Sequence, residues 1–136
     1  MIIEDEIDIR DYLMAVLEDN GYKTCCIAEY EPVPEAMERH KPDMVILDIM
    51  MPKRSGISIY KELRGVPALI DIPVALITGV TPGIEFMGNG FRMYVDDLSI
   101  EPPDGFVEKP IDLLALLGLI KKLLFSYKET NLAEPS

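Results

Sequence analysis

Met44-Val45-Ile46-Leu47 is an unbroken apolar run closed by Asp48. Four apolar residues without polar alternation are expected of a strand covered by helices on both faces, and such strands belong to mainly parallel sheets. The chain around this run has the matching organisation, because short apolar runs alternate with amphipathic stretches as in successive βα units. Ile2 and Ile3 read as the short end of a first strand. Asp8 to Asn20 carries Ile9, Leu13, Val16 and Leu17 at helical spacing and stops at Gly21, a common residue just past a helix end. Thr24 to Ala28 is β-branched and apolar enough for a second strand, and Pro34 to His40 fits a short helix that ends before Pro42. After the central run and a Pro52 to Gly56 turn, Ile57 to Arg64 supplies a third helix and Pro73 to Ile77 a fourth buried strand ending at Thr78.

The stretch from Val80 to Asp104 mixes glycines and prolines with apolar residues, so at most one irregular helix is expected there, over Gly83 to Asn89. Gly105 to Glu108 reads as a fifth strand, followed by Lys109 and Pro110. Ile111 to Tyr127 then closes the fold with a helix whose Leu114, Leu117, Ile120 and Leu124 offer a wide apolar face, and residues 128–136 read as a frayed tail. Five strands with alternating helices predict a doubly wound parallel sheet, for which strand order 2-1-3-4-5 is one common solution.

The 136 residues suit one domain. A net charge of -11 opposes contact with a phosphate backbone or an anionic membrane surface, so neither nucleic-acid nor membrane binding is expected. No apolar stretch approaches the roughly 20 residues that cross a bilayer, and the sequence shows no secretory leader, so the cytoplasm is the expected address. Cys25 and Cys26 are adjacent, and neighbouring strand residues point to opposite faces, which disfavours a disulfide between them. With no further cysteine, and with His40 on an expected helix end, they do not make a zinc site.

In a doubly wound sheet, function gathers at the carboxyl ends of the strands. Those ends carry Glu4 and Asp5, Asp48, Thr78 and Lys109. Each residue alone has an ordinary structural role, as a first-turn acid, a helix cap or a surface cation. Brought together they form something else. Three carboxylates at close range repel one another unless a cation neutralises them, and Lys109 with a divalent metal would do so. Mg²⁺ prefers oxygen ligands and typically takes one or two carboxylates, several waters and a phosphate oxygen. A carboxylate can also act as a nucleophile toward a phosphoryl group, with a metal, a cation and a hydroxyl stabilising the transferring oxygens. Asp48, Lys109 and Thr78 are the candidates for nucleophile, cation and hydroxyl.

Four segments, Ile2-Ile3-Glu4-Asp5-Glu6, Val45 to Pro52, Ala75-Leu76-Ile77-Thr78-Gly79 and Phe106-Val107-Glu108-Lys109-Pro110, together with Gly56, resemble the response-regulator receiver family in order and spacing. The resemblance spans almost the whole chain and implies a flavodoxin-like receiver domain over residues 1–127. It implies that Asp48 is the phosphoacceptor, Asp5 a direct ligand of Mg²⁺ or Mn²⁺, Glu4 a partner reaching the metal through water, and the Met50 main-chain carbonyl a further ligand. It also implies a sensor histidine kinase or phosphotransfer protein as donor, and a switch in which Thr78 turns toward the phosphate and Phe106 moves inward. The face formed by the fourth helix, fifth strand and fifth helix would meet partners, including a second copy in a homodimer.

This sequence departs from the family pattern in three places. The first strand is short; the interval between Thr78 and Lys109 is long, with Gly79 in place of the usual alanine; and Met50 and Val80 are apolar where relatives often carry groups that steer a hydrolytic water. Without such groups attack by water loses its positioning contribution, so a long-lived phosphorylated state is expected. The expected function is a phosphorylation-controlled binding module, not a turnover enzyme. A phosphohydrolase would need a second acid two residues after its nucleophile to protonate the leaving group, where this chain has Met50. The alternative is a receiver-like interaction domain that works without phosphorylation.

Overall fold

The computed structural model describes residues 1–27, 31–51, 55–79 and 99–133. Their order is β1 (Ile2–Ile3), α1 (Ile7–Asp19), α2 (Val33–His40), β2 (Val45–Asp48), α3 (Gly56–Gly65), a 3₁₀ turn (Pro67–Leu69), β3 (Val74–Thr78), β4 (Gly105–Glu108) and α4 (Leu113–Ala133). The four strands form one parallel sheet in the order β1-β2-β3-β4, with Ile3 beside Leu47, Asp48 beside Ile77 and Thr78 beside Glu108.

Side-chain alternation along the strands builds two apolar layers. Ile3, Val45, Leu47, Val74 and Leu76 point to one face, where Val33 and Met37 of α2 and Ile59, Tyr60 and Leu63 of α3 cover them. Ile2, Ile46, Ala75, Ile77 and Val107 point to the other, against Leu13 and Leu17 of α1 and Leu116, Ile120 and Leu123 of α4. This is why the central runs lack polar alternation: β2 and β3 are buried at every position. Local chemistry sets the helix ends. Ser55 Oγ accepts the Ser58 amide at 3.4 Å to open α3, Asp112 Oδ1 accepts the Leu114 amide at 3.0 Å ahead of α4, and Lys41 closes α2 in the left-handed region with φ 47°.

Of the expected five-stranded sheet, four strands are present among the described residues. Thr24 to Cys26 do not form a second strand; Cys26 makes only an isolated parallel bridge to Ile2, supported by the Ile2 amide on the Cys25 carbonyl at 2.9 Å. Ala28 lies outside the described residues. So do Val80 and residues 81–98, including the irregular helix expected over Gly83 to Asn89; Ser99 to Asp104, which are described, form no helix or strand. The closing helix runs to Ala133, past the Tyr127 end expected from its periodicity. No helix among the described residues is long and apolar enough to cross a membrane.

One polar network ties the lead-in of β4 to α3. The Arg64 guanidinium, 5% exposed, donates to the carbonyls of Ile70 (3.0 Å) and Ile72 (2.9 Å), to Tyr60 Oη (3.2 Å) and to Asp104 Oδ2 (3.0 Å). The same Asp104 oxygen accepts the Val74 amide at 2.8 Å, and Tyr60 Oη donates to the Glu101 carbonyl. Arg64→Met would keep much of the packing volume but remove these donors, and losing a hydrogen bond costs about 0.5–1.5 kcal/mol. The variant is expected to lose at least that much in urea unfolding; a loss under half a kcal/mol would show that water replaces the guanidinium without penalty.

Candidate functional site

β1, β2, β3 and β4 end together, and their parallel register places Glu4, Asp48, Thr78 and Lys109 at one edge of the sheet. Gly56 fixes the turn after β2, because a Cβ there would overlap the Asp48 carbonyl oxygen and the Ile49 Cα. Asp48 is 1% exposed and holds partners on both oxygens: the Met50 amide donates to Oδ1 at 3.0 Å, and Lys109 Nζ sits 3.2 Å from Oδ2. The Lys109 amide donates to the Thr78 carbonyl at 2.9 Å, which locks the base of the lysine to β3, and the Lys109–Pro110 peptide bond is cis. Thr78 is buried beside it.

Glu4 is the electrostatic misfit. Its Oε1 accepts the Glu6 amide at 3.2 Å, while Oε2 is buried with no hydrogen-bond partner among the described residues and lies 3.9 Å from Lys109 Nζ. Burial, then the neighbouring Asp48 carboxyl, pushes the Glu4 pKa from 4.5 up to about 8, against the opposing pull of the Glu6 amide and Lys109. Burial pulls on Lys109 in the other direction, but Asp48 first and then Glu4 and Glu6 outweigh it and hold the ammonium above its ordinary value.

Asp5 is exposed and completes the group: one carboxylate oxygen each from Glu4, Asp5 and Asp48 lie within 4.8 Å of one another. These residues fit a hard divalent cation, since the set is all oxygen and one member is a buried, orphaned carboxylate oxygen. The other residues singled out from the sequence fall as follows. Met50 is exposed at 56% beside Asp48. Phe106 is half-buried on β4, beside Leu76, and packs on the α2–α3 face. Val80 lies outside the described residues.

Sequence reasoning missed the Met50 amide, which holds Asp48 in place. An Asp whose side chain accepts the amide two residues on is a turn signature, so the Asp48-Ile49-Met50 spacing could have revealed it. The Glu4 misfit has no comparable local signal, because it arises from burial and from residues distant in sequence.

Residues 1–121 match the family of the response regulator receiver domain. Protein Rrf1 of Nitratidesulfovibrio vulgaris is 28% identical over 127 residues, which cover 93% of this chain and 83% of that protein. The transcriptional regulatory protein DltR of Streptococcus agalactiae is 30% identical over 121 residues, 89% of this chain but only 49% of that protein, so the chain spans about half of DltR's length. Among solved structures, the signal receiver domain of a signal transduction histidine kinase from Syntrophus aciditrophicus superposes with a TM-score of 0.74 at 26% identity, covering 92% of this chain and 88% of that one.

The Glu4 pKa sets a sign for stability. An acid whose folded pKa lies above its unfolded value binds its proton more tightly when folded, so its contribution is complete below pH 4.5 and is lost as pH rises toward about 8. In metal-free buffer the stability contributed by this site should therefore fall across that window. Glu4→Gln, measured by urea unfolding from pH 5 to 8, should flatten the fall; an unchanged slope would place its source elsewhere.

Proposed function

The chain belongs to the response regulator receiver family, and on that premise we propose that it is a phosphorylation-controlled binding module whose phosphoacceptor is Asp48. The observation that carries the reading is the pairing of both Asp48 oxygens, by the Met50 amide and by Lys109, at the rim of an acid cluster with an orphaned carboxylate oxygen. The nucleophile is thus fixed in orientation and remains beside a place for a cation.

The donor is a phosphohistidine on a sensor histidine kinase or a phosphotransfer protein. An Asp48 oxygen attacks phosphorus, the phosphorus–nitrogen bond breaks, and its electron pair returns to the imidazole, which takes up a proton. Lys109 follows the negative charge from the carboxylate to the phosphoryl oxygens, and the Thr78 hydroxyl is the third donor, at the end of the adjacent strand. Asp5, Asp48 and the Met50 carbonyl, with Glu4 nearby, would hold Mg²⁺ or Mn²⁺, which would supply positive charge to the phosphoryl oxygens and offset the repulsion among the three carboxylates.

The acyl phosphate is then the signal. It draws Thr78 toward the phosphoryl group and Phe106 toward the space beneath, and to move such an equilibrium from 1:99 to 99:1 it must favour the active state by about 5.5 kcal/mol. The chain's own chemistry is this single transfer and its slow reversal by water, without the turnover of an enzyme. Exposed, apolar Met50 offers nothing to orient that water, so the phosphorylated state is long-lived. A surface with net charge -11 favours a protein partner, a second copy among the candidates, over nucleic acid.

Incubation with Mg²⁺ and acetyl phosphate or phosphoramidate should add one phosphoryl group by intact mass, and both chelation and Asp48→Asn should abolish the gain. Met50→Asn should shorten the lifetime of the adduct several-fold. No gain with either donor would favour an interaction domain that works without phosphorylation.

A further inference from the structure

The methionines among the described residues divide by place. Met37 and Met44 are buried in the two apolar layers, Met1 and Met51 pack on the α2–α3 side of the sheet, and Met14 packs on the α1–α4 side. Met50 belongs to neither layer and is exposed at 56%, the most open methionine among the described residues.

Asp48 sets the position of this exposed side chain. The Met50 amide donates to Asp48 Oδ1 at 3.0 Å, so the Met50 Cα lies no more than about 4.5 Å from that oxygen, one N–Cα bond beyond the contact. Met50 is part of no helix or strand, and its unbranched, flexible side chain starts beside the carboxylate that takes the phosphoryl group. The thioether itself is only a weak hydrogen-bond acceptor. Oxidised to the sulfoxide it carries a polar oxygen, and the same side chain can then hold water.

Oxidation has opposite consequences at the two kinds of place. A sulfoxide at Met37 or Met44 would force a polar oxygen into an apolar layer, a costly burial, and an oxidant dissolved in water reaches those sulfurs poorly. At Met50 the new oxygen stays in solvent, so the fold is spared while the surroundings of Asp48 change.

We propose that Met50 is a reversible oxidation site through which a peroxide shortens the life of the phosphorylated state; the inference rests on the reading of Asp48 as phosphoacceptor. The sulfur lone pair attacks one peroxide oxygen, the oxygen–oxygen bond breaks, and the departing hydroxide takes up a proton to leave as water. Sulfur is oxidised and the peroxide reduced by the same electron pair. The sulfoxide oxygen accepts a hydrogen bond from a water beside the acyl phosphate and leaves that water's lone pair free to attack phosphorus, the positioning that the thioether does not supply. A dithiol acting through methionine sulfoxide reductases resets the site, removing the oxygen as water and ending as a disulfide.

The protein is treated with hydrogen peroxide, then with dithiothreitol alone, which restores reversibly oxidised cysteines but not sulfoxide, and its peptides are mapped by tandem mass spectrometry. Met50 should gain one oxygen about tenfold faster than Met37 or Met44. Treated and untreated protein are next phosphorylated with phosphoramidate and Mg²⁺, freed of donor and followed by intact mass. Oxidation should shorten the lifetime of the adduct several-fold, and dithiothreitol with methionine sulfoxide reductases of both stereospecificities should restore it. In Met50→Leu, peroxide should leave the lifetime at whatever value that variant has before treatment. Oxidation of Met50 no faster than that of the buried methionines, a lifetime unaltered once Met50 is oxidised, or an equal shortening in Met50→Leu each overturns the proposal. Untreated protein that takes up no phosphoryl group overturns the phosphoacceptor reading and this proposal with it, an outcome distinct from an adduct that forms and ignores peroxide.

Discussion

The contact between Lys109 Nζ and Asp48 Oδ2, 3.2 Å long, is the interaction on which the site depends. Asp48 is almost fully buried and has Glu4 and Asp5 as neighbours, so an ionised Asp48 without Lys109 would face two carboxylates at close range in a poorly solvated place. The lysine comes from β4, whose pairing with β3 is fixed by the Thr78–Glu108 register and the bond from the Lys109 amide to the Thr78 carbonyl. A single cation cannot balance three acids. The remainder is visible as the raised Glu4 pKa and its orphaned oxygen, an imbalance that one more positive charge would relieve.

The sheet places the groups and the two apolar layers hold the sheet. β2 and β3 are buried on both faces, so a one-residue slip would exchange the layer occupied by Val45 and Leu47 with that of Ile46 and displace Asp48 from Ile77. Gly56 adds a local lock, since backbone passes where its side chain would be. At the far end of β3, Arg64, Tyr60 and Asp104 tie α3 to the approach of β4, so the strand that carries Lys109 is anchored before it begins as well as at its end.

Much of this was legible in the sequence because the two periodicities are strong. The Met44 to Leu47 and Pro73 to Ile77 runs announced buried parallel strands, and a parallel sheet brings its strand ends together whatever the loops do, so Glu4, Asp5, Asp48, Thr78 and Lys109 could be grouped without coordinates. Thr24 to Ala28 has strand composition, but composition alone does not make a strand, and among its described residues only Cys26 bridges to β1. The Arg64 network joins residues up to 41 positions apart, partly through backbone carbonyls, and carbonyls leave no mark on a sequence. Glu4 looked like any first-turn acid, and only its burial against Asp48 changes its protonation.

The central claim is that Glu4, Asp5 and Asp48, balanced in part by Lys109, form a site for one divalent cation. Electron paramagnetic resonance of Mn²⁺ titrated into the protein at pH 8 tests it directly, because the free-ion signal falls by the amount bound. The account predicts one bound ion per chain, displaced by excess Mg²⁺ and lost in Asp5→Asn. A free-ion signal that tracks total Mn²⁺ throughout the titration, or binding that Asp5→Asn leaves intact, would contradict it.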